Sequence, residues 1–181
     1  MPEFKVFIRI QAPYSKVWEL ASVVENIEKW SPVKFSTVAP DASVRNGLKL
    51  VQIDKQFGVF GCKNLFVHDA FMNSKVRRQF SFVDEADSYR FNRITYMFDD
   101  NSISTMIALS EDYEARQILR EQAKNEPEYQ IDIMAHVFYT FGSVFWRQIV
   151  EYLFINPFFK FIFQKKVEKS LAKLKQLAES K

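Results

Sequence analysis

The order of its segments is what most constrains this chain. Phe4, Val6, Ile8 and Ile10 alternate with Lys5, Arg9 and Gln11, which is the period of a half-buried strand. Ala12-Pro13 follows, then a short helical stretch with Val17, Trp18 and Ala21 on one stripe, a second from Glu25 to Lys29, and Trp30-Ser31-Pro32. Pro13 suits the first turn of a helix, where its missing N–H costs nothing. Ser31 precedes Pro32 and is pushed out of the helical region, which ends the second stretch. A strand followed at once by two small helices, then many strands, then one long helix implies a curved sheet gripping a helix around a cavity. That is a ligand-holding shape, and it leaves the ligand unnamed.

The middle of the chain reads as strands. Val33–Val38 is followed by a polar turn over Pro40–Asn46, and Leu48 to Phe57 alternates as the next strand, with Gly58 and Gly61 bracketing a turn. Leu65 to Met72, Phe80 with Phe82, and Tyr89–Phe98 continue the pattern. Asp99-Asp100-Asn101 is a turn, and Ile103, Thr105, Ile107 and Leu109 alternate cleanly after it, as a strand does. This makes up to eight strand-like segments. Glu111–Asn125 breaks the pattern with helix-compatible charge pairs. Alternation returns from Tyr129 to Phe141, with Asp132 and His136 among the polar positions, a strand with one wet or cavity-facing side. Val144–Ile155 reads as helix, and Asn156-Pro157 kinks or restarts it. Phe158–Leu177 then forms an amphipathic helix of about 20 residues, roughly 30 Å long.

A chain of 181 residues is most simply one domain and long enough to bury a core. Its 4 Gly argue against a phosphate-cradling loop, where close backbone approach needs residues without a Cβ. Its 19 Phe either fill a core or line a pocket. A net charge of +3 is too balanced to argue for nucleic acid. The basic excess is local: Lys160, Lys165, Lys166, Lys169, Lys173 and Lys175 face a lone Glu168. Such a run is a solvated helix face or a contact for an anionic membrane surface. Cys62 is alone, so no intramolecular disulfide and no Cys-based metal site is expected, and a cytoplasmic location is the expectation for a chain opening without a secretory pattern. Val137–Phe163 is apolar, but Arg147, Gln148, Glu151, Asn156 and Lys160 interrupt it, which argues against a membrane span.

Ala12-Pro13, Val17-Trp18, Trp30-Ser31-Pro32 and the terminal Leu171, Leu174 and Leu177 resemble the START-like superfamily, also called SRPBCC. That superfamily includes polyketide cyclase-like, coenzyme-Q-binding, lipid-transfer and birch-pollen-allergen proteins. The resemblance covers the first 32 residues or so and about the last 25. It implies an α+β helix-grip fold over 1–181: a curved antiparallel sheet of about seven strands around the C-terminal helix, with a cavity between. Against that pattern there is one strand-like segment too many, with Val33–Val38 or Phe80–Val83 the suspects. Residues 111–128 stand as an insertion, either a lid or a surface excursion.

Candidate chemistry is sparse. Asp69 is a candidate general base, His68 with His136 a candidate acid/base or metal-ligand pair, and Arg93, which shares its alternation with Tyr89, Phe91, Thr95 and Met97, a candidate to grip a carboxylate or phosphate. Arg77, Arg78 and Arg90 lie on or beside strands as well. Phe66, Phe91, Tyr96, Met134, His136, Phe138, Phe159, Ile162 and Phe163 are the expected cavity wall. No spacing supplies a third ligand for a metal beside His68 and His136, and no cofactor is expected. The expected role is binding a lipid, isoprenoid quinone or polyaromatic. The alternatives are an aromatase/cyclase-like enzyme using Asp69, His68 and Arg93, and a protein touching membranes through Phe158–Lys166.

Overall fold

The computed structural model describes residues 3–31, 34–41, 47–54, 62–72, 77–84, 92–139 and 156–180. The architecture is α+β, an antiparallel sheet with a C-terminal helix. β1 (Glu3–Ile10) leads into α1 (Tyr14–Ser22) and α2 (Val24–Trp30). β2 (Lys34–Asp41), β3 (Gly47–Asp54), β4 (Cys62–Met72), β5 (Arg77–Asp84) and β6 (Asn92–Asp100) follow. α3 (Ile103–Leu109) and α4 (Tyr113–Gln122) separate β6 from β7 (Ile131–Tyr139), and α5 spans Asn156–Glu179. The described strands run in the order β1-β7-β6-β5-β4-β3-β2, each neighbouring pair antiparallel.

The two short helices form where the sequence places them. Pro13 is extended (ψ 134°) and immediately precedes α1, and its carbonyl accepts from the Val17 amide at 3.1 Å. Val23 is extended as well, so α1 stops and the chain turns into α2. Trp30 closes the pair: its indole N–H donates to the Leu20 carbonyl at 3.0 Å, which lets a large ring bury without an unpaired donor.

Alternation sets the core. Phe4, Val6 and Ile10 of β1 and Ile131, Ile133, Ala135 and Val137 of β7 are buried on one face. α5 lays Val167, Leu171, Leu174 and Ala178 onto this core, packing chiefly on β1 and also on α1 and α2. Its C-terminus is fixed by two bonds: the Gln11 amide donates to Glu179 Oε1 at 2.8 Å, and Lys16 Nζ donates to the Ser180 carbonyl at 2.7 Å. The second satisfies a backbone oxygen just past the helix end with a cation, where the dipole favours one.

One element differs from its sequence reading. Ile103–Leu109 is helix, not strand. Asp100 decides it: Oδ1 accepts from the Ser102 amide at 3.0 Å and Oδ2 from Thr105 Oγ1 at 2.8 Å, holding a first turn in which the Ser102 carbonyl takes the Met106 amide. Local side-chain bonds thus override β-branched propensity. The two segments suspected of being surplus fall on β2 and β5. The expected helix at 144–155 lies outside the described residues.

α3 and α4 pack on each other between β6 and β7. α4 has no buried residue and starts on Asp112, whose carboxylate accepts from the Glu114 amide. A polar clasp ties the end of β6 to the start of β7. Arg9 donates Nε and Nη2 to Asp132 at 2.7 and 2.8 Å, Asn101 Nδ2 donates to Asp132 Oδ2 at 2.9 Å, and the Gln130 amide donates to Ser102 Oγ at 3.0 Å. No described helix is long and apolar enough to cross a membrane.

Candidate functional site

The core is filled with rings where β5 and β6 meet α1. Phe80 stacks on Tyr96 at 4.9 Å and on Phe98 at 5.7 Å, and Trp18 meets Phe80 and Phe98 edge-on at 6.2 and 5.4 Å. Trp30 stands edge-on to Tyr96 at 5.6 Å. These offset and perpendicular geometries suit the ring quadrupoles. Tyr96, expected in the cavity wall, is one of these packed rings, and burial pushes its hydroxyl pKa well above the ordinary tyrosine range.

Packing is uneven along α5. Among its described side chains, the buried ones run from Val167 to Ala178, whereas Ile162, Phe163 and Gln164 are half-buried and Phe161 is 61% exposed. Phe163 meets Phe4 edge-on at 6.3 Å, at the limit of the packed zone. One end of the helix is therefore sealed against the sheet, and the other leaves large apolar side chains partly uncovered.

β7 places three expected wall residues elsewhere. Met134, His136 and Phe138 alternate with the buried Ile131, Ile133, Ala135 and Val137, so they lie on the sheet face away from the core. His136 Nε2 lies 3.0 Å from Glu3 Oε2, and its ring leans on Phe138 at 4.0 Å. The alternation is plain in the sequence, but which set faces inward is decided by what packs on the sheet. On the same outer face Phe7, beside Met134, is 68% exposed.

The three catalytic candidates do not share a cross-strand row. Asp69 aligns with Ser81, Thr95, His136 and Lys5, and Arg93 with Val83, Phe138 and Glu3. His68 aligns with Phe82, Ile94, Val137 and Phe4, a row in which Val137 and Phe4 are buried and Ile94 is half-buried against the core. On the outer row Ser81 and Thr95 are buried and bond to each other at 3.0 Å, so that position holds a satisfied hydroxyl pair. Side chains at Phe66, His68, Asp69, Phe91, Arg93 and Phe159 lie outside the described residues. Among the described residues, no three His, Cys, Asp or Glu gather as metal ligands.

The arginine on the core row is Arg78, which sequence spacing did not single out. It aligns with Phe98, Ile133 and Ile8. Its guanidinium carbon lies 5.3 Å from the Tyr14 ring centroid and 5.5 Å from that of Trp18. Its Nε is buried and, among the described residues, has no hydrogen-bond partner. The Tyr14 hydroxyl donates to the Phe98 carbonyl at 3.3 Å, and burial pushes its pKa up to about 12 against the opposing pull of Arg78. A two-residue period places Arg78 with Phe80 on β5, and that was the available signal.

No family model matches the sequence, and no curated protein matches it. Solved structures do match in shape. A protein of Thermus thermophilus is 17% identical, covers 99% of this chain and 100% of its own, and superposes with a TM-score of 0.55. One from Chromobacterium violaceum is 11% identical over 99% of this chain and 98% of its own, with a TM-score of 0.56. A START superfamily protein from Mycobacterium smegmatis is 12% identical over 98% of this chain and 97% of its own, with a TM-score of 0.53. The chain has a START-like fold.

Proposed function

We propose that this protein binds a hydrophobic small molecule (a lipid, an isoprenoid quinone or a polyaromatic) between the sheet and α5, as one START-like domain over 1–181. In this reading the β1–β7 sheet curves around α5 as a helix grip, and the ligand moves from water into the apolar space so enclosed. The observation that carries it is the uneven packing of α5. The helix is sealed from Val167 to Ala178 and stays partly uncovered at Ile162 and Phe163, where the described core stops. Half-buried apolar side chains beside a closed core are what a pocket wall presents. Removing apolar surface from water is worth about 25 cal/mol per Å², or roughly 0.8 kcal/mol per methylene, so a long chain or a ring system is what such a space would retain. Phe66 and Phe159 join Ile162 and Phe163 as the proposed wall, while Phe91 shares the outward alternation of Arg93 and Thr95.

The test is apolar extraction of the purified protein followed by mass spectrometry. A stoichiometric apolar compound supports the reading, and an empty protein that also takes up no apolar probe ends it.

A second reading is favoured by one exposed ring. Phe161 protrudes from α5 with Lys165 Nζ 5.0 Å from its centroid, inside the lysine run. An aromatic flanked by cations is what an anionic bilayer surface takes up, and such contact would let ligand pass directly between membrane and pocket. Salt-sensitive sedimentation with anionic liposomes, weakened in Phe161→Ser, supports it, and no sedimentation at low salt removes it.

A further inference from the structure

We infer that the α3–α4 pair docks on a second copy of this chain, laying α4 along the lysine ridge of that copy's α5. The inference goes beyond the ligand reading and does not depend on it.

α4 is weakly held. It runs for ten residues and buries none of them. A helix that short is marginal in water by itself, and packing of one face normally supplies the missing stability. Here the support is local: α3 lies alongside, Asp112 caps the first turn, and Arg116 Nε donates to the Ser110 carbonyl at 2.6 Å. Exposed apolar side chains gather on the same pair. Of the seven large ones exposed among the described residues, four lie here: Met106, Leu109, Tyr113 and Ile118. Single exposed apolar residues are ordinary, but a concentration on one thinly packed element marks a contact surface.

The pair is not placed to act as a lid. β6 ends at Asp100, which pairs with Ile131, and Ile131 pairs with Ile10. That is the end of the sheet where the Gln11 amide holds Glu179 and α5 is sealed. Ile162 and Phe163 lie toward the other end, where Phe163 meets Phe4.

Charge selects the occupant. Residues 111–128 carry six acids against three bases, in a chain of net charge +3. Glu114, Ile118 and Glu121 follow at i, i+4 and i+7 and are all exposed, so α4 shows an acidic ridge with one apolar residue in it. Glu121 meets Lys124 at 2.7 Å, but both are exposed, and such a pair is readily exchanged for another. α5 carries the counterpart. Lys165, Lys169 and Lys173 follow at i, i+4 and i+8 and are exposed, and the exposed Ala172 beside them leaves room for Ile118. Glu114 to Glu121 spans about 10 Å along α4, and Lys165 to Lys173 about 12 Å along α5, so the ridges match in length. The C-terminal half of α5 and the start of α3 lie at one end of the molecule. A two-fold axis there makes the contact twice, each copy giving its α4 and receiving on its α5. An anionic bilayer is a poor occupant for α4, because its acids are repelled there.

The test is sedimentation velocity of the full chain without lipid, at up to about 200 µM, since two helix-on-helix contacts fall at the weak end of stable interfaces. The wild type should dimerise at low salt, and its dissociation constant should rise ten times or more between about 50 and 300 mM salt. Two charge-reversed variants are compared: Glu114→Lys with Glu121→Lys on α4, and Lys169→Glu with Lys173→Glu on α5. Each sets like charge against like and should be monomeric alone. Mixed in equal amounts they should form a heterodimer, because every contact is then again between opposite signs. A wild type that stays monomeric at low salt overturns the inference. So does a dimer that survives either reversal, or a mixture of the two variants that remains monomeric. The four positions are exposed, circular dichroism checks that the variants fold, and the wild-type salt series stands without them. None of these outcomes bears on the apolar ligand, which extraction tests separately.

Discussion

Replacing Phe80 by Ala tests whether the sheet is closed by rings between β5, β6 and α1. Phe80 is fully buried and touches Tyr96, Phe98 and Trp18, themselves held by further packing. Transfer of its side chain to water loses about 1.5–3 kcal/mol. Ring–ring geometry adds roughly 0.5–1.5 kcal/mol for a pair, shared here among neighbours and not summed. The surrounding rings cannot collapse freely, because Trp30, which braces Tyr96, is tied by its indole N–H to Leu20. The cost should therefore sit within the roughly 3–5 kcal/mol seen for such truncations, near 4. Urea unfolding followed by tryptophan fluorescence reads this directly. With an m-value of about 3 kcal/mol/M the midpoint falls by roughly 1.3 M with the slope unchanged. Benzene should restore part of the loss by filling the apolar hole, through mass action on the native state. A loss under about 1 kcal/mol, with no effect of benzene, would mean that these rings do not form a rigid plug, since rigid packing is what generates the cavity cost.

Three further expectations follow from named contacts. Leu174→Ala, deleting a fully buried anchor of α5, should cost about 2–5 kcal/mol in the same titration, and a change under 1 kcal/mol would detach α5 from the core. Asp132→Asn should cost under about 1 kcal/mol, because its partner Arg9 is exposed and screened, yet should speed amide exchange at residues 101–106, where the clasp anchors the start of α3. Arg9 holds the Asp132 carboxyl below its ordinary range, so the stabilisation is present above the unfolded carboxyl pKa and disappears as pH falls through the lowered folded value. Tyr14 and Tyr96 titrate above an ordinary tyrosine when folded; unfolded chains shed those protons first, so stability should decline as pH climbs past 10 (toward about 12 for Tyr14), and a flat alkaline profile would contradict their burial.

Much was legible in the chain itself. Ala12-Pro13 and Trp30-Ser31 place the two small helices, since a fixed proline φ and the restricted residue before Pro32 act locally. The stripe through Val167, Leu171 and Leu174 reads directly as a docked helix face. Residues 103–109 did not read correctly, because their β-branched alternation also satisfies a helical repeat and the deciding bonds come from Asp100. The wall residues of β7 were assigned to the wrong side for a different reason. A period of two defines two faces and says nothing about which one α5 and α1 will cover.

The amino-acid order alone determined the two small helices and the alternation of β1 and β7, because propensity and proline geometry act within a few residues. Only the tertiary structure decided which strand face became core, where α5 stops sealing the sheet, and that Arg78 lies against two aromatic rings with a buried Nε. Those outcomes depend on which distant segments share a row, and pairing across a hundred residues leaves no mark in local spacing.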